Sequence, residues 1–251
     1  MSSASAINSS AADPAATLDW VGSAAASASG TAALGDDQPW RGFSLDIARS
    51  FYPLPVLLRL VDRLAELKLN VFHLHLTDDQ GWRIEIPGHP ELTDRSGGTA
   101  VAGGQSGFLM VADWQALVTY AHTLGIMVVP EIDVPGHTNA ALHAIAALNP
   151  DGQARPAYDG VDVGFSQLHA DLPATKAFLE DVFQALAAMT PGPWIHIGGD
   201  ECHAMTDEEY TQIVRLVVDI VEQTGKRPIA WQEGALAGLG ERLRLQFWLS
   251  V

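Results

Sequence analysis

Asp200 and Glu201 are adjacent carboxylates that follow the apolar run Trp194-Ile195-His196-Ile197 and the pair Gly198-Gly199. A carboxylic acid can hand a proton to a leaving group, and a carboxylate can steady a developing positive charge. The apolar run predicts a buried strand, and the glycines predict its bend. Acids at the C-terminal end of a buried parallel strand stand where barrels and open α/β sheets place their chemistry. The bland alternative is two acids opening a solvated loop. Against it, polar or aromatic clusters recur after the other apolar runs: Asp46, then Asp78-Asp79, Asp133 with His137, Trp231 with Glu233, and Trp248.

The elements that must carry these residues alternate in type. Strands are expected at Phe43–Asp46, Val71–Leu76, Ile126–Pro130, Trp194–Ile197, Ile229–Glu233 and Leu245–Leu249. Between them lie helical patterns at Leu54–Lys68, Asp113–Leu124, Thr138–Leu148, Pro173–Met189 and, behind a Thr206-x-x-Glu209 capping box, up to Gln223. A long loop from Thr77 to about Met110 holds a Gly-rich piece, and 149–171 reads as loop. Alternation of this kind implies parallel strands with right-handed crossovers. One polar cluster per strand end is the layout of a (β/α)8 active face, whereas a doubly wound sheet gathers its site at one switch point. No GxGxxG or Walker pattern supports the latter. The fold class expected is therefore α/β, of (β/α)8 TIM-barrel type, with about six of the eight βα units in this chain. Residues 1–38, rich in Ala and Ser, read as a flexible tail or linker, and 39–251 as the partial barrel domain.

Composition narrows the partners. The formal net charge of −16 speaks against nucleic acid and anionic membrane surfaces, which require basic patches. No apolar run is long enough to span a bilayer, and the N-terminus lacks the basic start and apolar core of a secretory signal, so the default compartment is cytoplasmic. Cys202 is the only cysteine and is expected to be a small buried residue beside the site. Seven tryptophans suit either a large core or a sugar-binding cleft.

Five blocks stand in order: Arg41-Gly42 with Leu45-Asp46 and Arg49; His73 through Arg83, containing Thr77-Asp78-Asp79-Gln80-Gly81-Trp82; Pro130-Glu131-Ile132-Asp133-Val134-Pro135-Gly136-His137-Thr138; His196 through Glu201; and Trp231-Gln232-Glu233. Together they closely resemble the catalytic domain of glycoside hydrolase family 20, the β-N-acetylhexosaminidases, from about Trp40 to the C-terminus. The resemblance implies a TIM barrel and exo-acting removal of terminal N-acetylglucosamine or N-acetylgalactosamine from glycans or chitooligosaccharides. It implies retention of configuration through attack by the substrate's own acetamide. Glu201 is then the general acid, and Asp200 orients the acetamide and steadies the oxazolinium. His137, with Asp78 or Asp79, supports the acid. Arg41 binds sugar hydroxyls, and Trp231 and Trp248 wall the acetamide pocket. No metal and no cofactor are expected.

Spacing leans the same way. An ordinary retaining pair sits about 5 Å apart across the scissile bond, whereas neighbouring Cα atoms are about 3.8 Å apart. Residues so close do not readily straddle a sugar ring, although Asp133 and Glu233 stay open as opposing carboxylates. His73, His75 and His196 lie inside strands and are expected to be core histidines. Two other readings stand beside this one. One is a metal-dependent barrel hydrolase, for which no HxxxH helical pair or compact ligand cluster appears. The other is a catalytically weak fragment that only binds sugar. The family usually carries a small α/β domain ahead of its barrel and two further βα units behind the sixth strand. A chain without those units is expected to expose sheet edges, to be poorly soluble and to hydrolyse hexosaminides slowly.

Overall fold

The computed structural model describes residues 40–248. The expected Ala/Ser-rich tail lies outside them, as does Leu249.

Six parallel strands form one sheet: β1 (Gly42–Asp46), β2 (Val71–His75), β5 (Met127–Glu131), β6 (Trp194–His196), β7 (Arg227–Trp231) and β8 (Arg244–Gln246), in that spatial order. Every neighbouring pair is parallel, and Asp46, His75 and Glu131 share one register level at the C-terminal ends of three consecutive strands. All five residues of β2 are buried, as expected of a strand covered on both faces. This is six strands of a (β/α)8-type barrel. Among the described residues, β1 and β8 are the two edges.

Helices α1 (Leu54–Glu66), α3 (Val111–Thr123), α5 (Pro173–Met189) and α6 (Asp207–Gln223) pack side by side in that order along the sheet. Each is held by an apolar stripe. In α1 it is Leu57, Val61 and Leu64; in α6 it is Tyr210, Ile213, Val214, Val217, Val218, Ile220 and Val221. The capping box at Thr206 forms as expected, with Glu209 N–H donating to Thr206 Oγ1 at 3.3 Å and Thr206 N–H to Glu209 Oε2 at 2.9 Å.

The long loop after β2 is more ordered than its composition suggests. It contains a two-stranded hairpin, β3 (Thr77–Asp78) with β4 (Gly81–Trp82), and a short helix, α2 (Pro90–Ser96). Polar residues that pack inward hide α2 from a periodicity reading: Thr93 and Ser96 are buried with Leu92. The buried guanidinium of Arg83 fastens the Gly-rich piece beyond it. Its three nitrogens donate to the carbonyls of Ile47, Ala48, Gly97, Thr99 and Gly107 at 2.5–3.1 Å. The Ala-rich helix is also shorter than expected. It is α4 (Asn139–Ala144), broken before a single 3-10 turn at Ala146–Leu148.

Candidate functional site

Ile197 to Glu201 leave β6 through two left-handed glycines, Gly198 (φ 70°) and Gly199 (φ 98°). Position 198 needs glycine twice over, because a Cβ there would collide with the Asp133 carboxylate. Glu201 itself has φ 48°, and His137, on the loop after β5, has φ 54°. Left-handed backbone costs an L-residue about 1–2 kcal/mol. Two such residues face each other here: His137 Nε2 lies 3.4 Å from Glu201 Oε2 and 3.8 Å from Asp200 Oδ2.

The other ring nitrogen of His137 faces Asp78 rather than Asp79. Nδ1 is 3.1 Å from Asp78 Oδ1. Asp79 turns away, accepting from Asn139 N–H at 2.9 Å and from the Ser166 hydroxyl, and burial pushes its carboxyl up. Burial opposes charge on Asp78 too, but hydrogen bonds from His137 and His75 hold it well below the usual carboxylate range. Burial likewise works against an imidazolium at His137, yet Asp133, Asp78 and Asp200 raise its pKa to about 10. His137 is therefore a cation at neutral pH.

Asp200 and Asp133 form a second unit. Asp133 is buried and accepts Gly199 N–H on Oδ1 at 2.9 Å. Its carboxyl is pushed well up, first by burial and then by the charge of Asp200, and burial raises Asp200 in turn. Two carboxyls this close share a proton rather than both ionise. Asp200 Oδ1 is buried without a hydrogen-bond partner. Asp133 lies against Asp200, within 4.8 Å, so the two do not straddle a sugar ring. Cys202, half-buried beside the pair, donates its thiol to Asp200 O at 3.1 Å.

Arg41 does not join these residues. It precedes β1, at the N-terminal end of the sheet, where its Nε donates to Lys68 O at 3.1 Å. Its place is taken by Arg49, three residues past Asp46, whose Nη1 meets Asp46 Oδ2 at 2.7 Å and Nη2 meets Asp78 Oδ2 at 2.8 Å. The strand itself could have revealed this. Five extended residues at about 3.3 Å each separate the rims by roughly 16 Å, so an arginine before the strand and one after it cannot serve the same site.

Trp231 ends β7, as expected, with its ring 4.6 Å from His196 and its indole N–H donating to Glu131 Oε1 at 2.9 Å. Trp248 is 44 % exposed and donates Nε1–H to Glu233 Oε2 at 3.2 Å. His73, His75 and His196 are buried, as core histidines should be, but His75 also reaches the site through Asp78. His196 accepts Gly198 N–H on Nδ1 at 3.0 Å, so its proton is on Nε2, and burial lowers its pKa to about 4.

A parallel β/α barrel wall with acids, a buried His–Asp pair and an arginine at its C-terminal rim defines the class: a (β/α)8-type enzyme domain with a carboxylate site. Residues 38–251 match the model of the glycosyl hydrolase family 20 catalytic domain, and the chain belongs to that family. It is 49% identical over 216 residues to a β-N-acetylhexosaminidase of Cellulomonas fimi, covering 85% of this chain and 44% of that protein. It is 36% identical to a β-hexosaminidase of Vibrio furnissii, over 77% of this chain and 37% of that one. Among solved structures, the family 20 β-N-acetylhexosaminidase of Streptomyces coelicolor A3(2) superposes with a TM-score of 0.82 at 43% identity, over 84% of this chain and 42% of that one. A mutant Streptomyces plicatus β-hexosaminidase in complex with the product GlcNAc gives 0.81 at 44% identity, with the same coverage. The chain thus spans less than half the length of these relatives.

Proposed function

We propose that this chain carries the acid-bearing part of an exo-acting β-N-acetylhexosaminidase that cleaves terminal N-acetylglucosamine or N-acetylgalactosamine with retention, using the substrate's acetamide as nucleophile. The observation that carries the reading is the pairing of Asp200 and Glu201 about one imidazolium, with Asp200 Oδ1 buried and unpartnered. An acetamide N–H would satisfy that oxygen. As the acetamide oxygen attacks the anomeric carbon, positive charge grows on its nitrogen, and a carboxylate already in contact stabilises it. Glu201 gives its proton to the departing oxygen and then deprotonates the water that opens the oxazolinium. Arg49, at the rim and fixed by two carboxylates, is the guanidinium suited to sugar hydroxyls. Trp231 and Trp248 offer the aromatic faces.

The metal-hydrolase reading has some support in four clusters among the described residues whose ligand atoms lie within 4.8 Å of one another: His73–Glu131–His196 and His75–Glu131–Asp133 in the buried strand ends, and Asp78–Asp79–His137 and Asp133–His137–Asp200 about the histidine at the rim. A histidine must be neutral to ligate, and at His137 the proton-sharing Asp133–Asp200 pair and the Asp78 carboxylate favour the cation. Unchanged activity in a chelator separates the two readings. The decisive experiment follows an aryl N-acetyl-β-glucosaminide by proton NMR. The first-formed sugar should be the β-anomer, and a thiazoline mimic of the oxazolinium should inhibit; an α-anomer formed first would end the proposal.

A further inference from the structure

We infer that Glu131 is a positioning residue of the acid apparatus: it clamps His75 with one carboxylate oxygen and the Trp231 indole with the other, and so tunes the proton affinity of Glu201 through His75, Asp78 and His137. The inference rests on the hexosaminidase reading for its effect on rate, and on geometry alone for its effect on proton placement.

The chain of contacts is continuous. Glu201 Oε2 lies 3.4 Å from His137 Nε2, and His137 Nδ1 lies 3.1 Å from Asp78 Oδ1. Asp78 Oδ2 is 2.8 Å from His75 Nε2, and His75 Nδ1 is 3.0 Å from Glu131 Oε2. Both ring nitrogens of His75 therefore face carboxylate oxygens. Since a carboxylate offers only lone pairs, both nitrogens must carry protons. Burial opposes that cation, but Glu131 and Asp78 override it and hold the His75 pKa well up. The line from Glu131 to His137 is then an alternation of charges: anion, cation, anion, cation.

Other groups press on Glu131 from each neighbouring strand. His73 of β2 meets Oε2 at 2.7 Å, and His196 of β6 lies 3.3 Å from Oε1, next to the Trp231 indole of β7. Asp133, two residues on, has its carboxyl held well up by burial, by Asp200 and by the Glu131 charge. Beyond Asp78 stands Arg49. Burial opposes ionisation of Glu131, and the cationic His75 together with the His73 contact at 2.7 Å outweighs it and keeps the carboxyl well below its ordinary range. A buried charge is an expensive way to fill a core, since apolar residues of like volume do so at no desolvation cost. Every partner named here lies on or behind the rim that bears Glu201.

Replacing Glu131 by Gln removes the anion that keeps His75 charged. His75 then becomes neutral, and the nearer of the two lost charges is the cation. The surroundings of Glu201 become more negative, and its proton is held more tightly. The alkaline limb of kcat/KM should rise by about half a pH unit or more, with kcat falling most for poor leaving groups. Glu131→Asp keeps the charge and should return the limb toward its original position.

Nitrogen-15 NMR of histidine-labelled protein tests the proton placement without reference to activity. His75 should be doubly protonated in the wild type at about pH 7.5 and neutral in Glu131→Gln at the same pH. A neutral His75 in the wild type overturns the inference, whether or not either variant folds. So does a Glu131→Gln enzyme that is slower with every leaving group by the same factor and has an unmoved alkaline limb. A wild type that releases no N-acetylhexosamine would sink the proposed activity instead, leaving the NMR result to decide on Glu131.

Discussion

His137 holds its Nε2 3.4 Å from Glu201 Oε2, and both residues reach that contact from left-handed backbone, at φ 54° and 48°. Strain of this kind persists only where the surrounding structure fixes it, and here it delivers a carboxyl to an imidazolium. Substituting Glu201→Gln should cost about 10²–10⁴-fold in kcat with poor leaving groups and far less with a dinitrophenyl leaving group, which departs unaided. A leaving-group series read as kcat decides this. Equal losses along the series would deny Glu201 the role of acid.

Arg49 and Arg41 make opposite predictions. Arg49 meets Asp46 and Asp78 through separate nitrogens at 2.7 and 2.8 Å, a fork that lysine cannot reproduce. Arg49→Lys should raise KM for an aryl N-acetylglucosaminide by roughly 10-fold or more, the scale of one charged hydrogen bond. Arg41→Ala, at the opposite end of β1, should leave KM within about twofold, as surface changes away from a site do. Steady-state kinetics on both variants suffice, and a larger KM effect from Arg41 would reverse the assignment.

The division between what the sequence made legible and what it did not follows physical lines. Strands β2, β5 and β6 announce themselves as apolar runs, and α5 and α6 as long periodic stripes with their own start signals, so their positions agree to within a residue or two. The hairpin β3–β4 and helix α2 do not, because their inward faces are polar and their cohesion comes from Arg83 and from buried Thr93 and Ser96. At the site, Asp200 and Glu201 were marked by their place at the end of an apolar run and by the polar clusters that recur after the other runs. The choice of Asp78 over Asp79 was not legible, since side chains of consecutive residues point apart and only the fold says which way His137 lies. Glu131 and His75 were hidden by their place in strands, where alternation cannot distinguish a charged barrel interior from a core histidine. Arg41 was misplaced because motif order says nothing about which rim a residue occupies.

Arg83 offers a test of the loop architecture. Burial lowers its pKa to about 10, still a cation at neutral pH, and its partners are backbone carbonyls. Arg83→Met keeps the volume but leaves the carbonyls of Ala48, Thr99 and Gly107 without the guanidinium donor, at about 1–3 kcal/mol for each group that stays dry, while Gly97 O keeps the Gly107 N–H at 2.7 Å. The expected result is a loss of roughly 3 kcal/mol or more in urea unfolding, with rapid proteolysis between Gly97 and Gly107. Unchanged stability would mean that the Gly-rich segment holds its course without the guanidinium.

Asp200 should trade stability for function. Its folded pKa is raised, burial being the main cause, so the folded protein binds this proton more tightly than the unfolded chain does. A raised carboxyl favours the fold at low pH, and that contribution is lost as pH climbs through the folded pKa. Asn at this position carries no charge to bury. Asp200→Asn should therefore be about as stable as the wild type near pH 4 and more stable by about 1 kcal/mol at pH 7.5, a typical gain when a strained site residue is neutralised. The attraction to His137 at 3.8 Å is lost in the variant, but the net upward shift shows that it does not outweigh burial. In the same variant the proposed mechanism requires kcat to fall whatever the leaving group, because the acetamide would lose the carboxylate that orients it and steadies its charge. Thermal unfolding from about pH 4 to 7.5, run beside the leaving-group series, reads both effects. A variant that is less stable at neutral pH would show that His137 needs the Asp200 charge more than burial resists it.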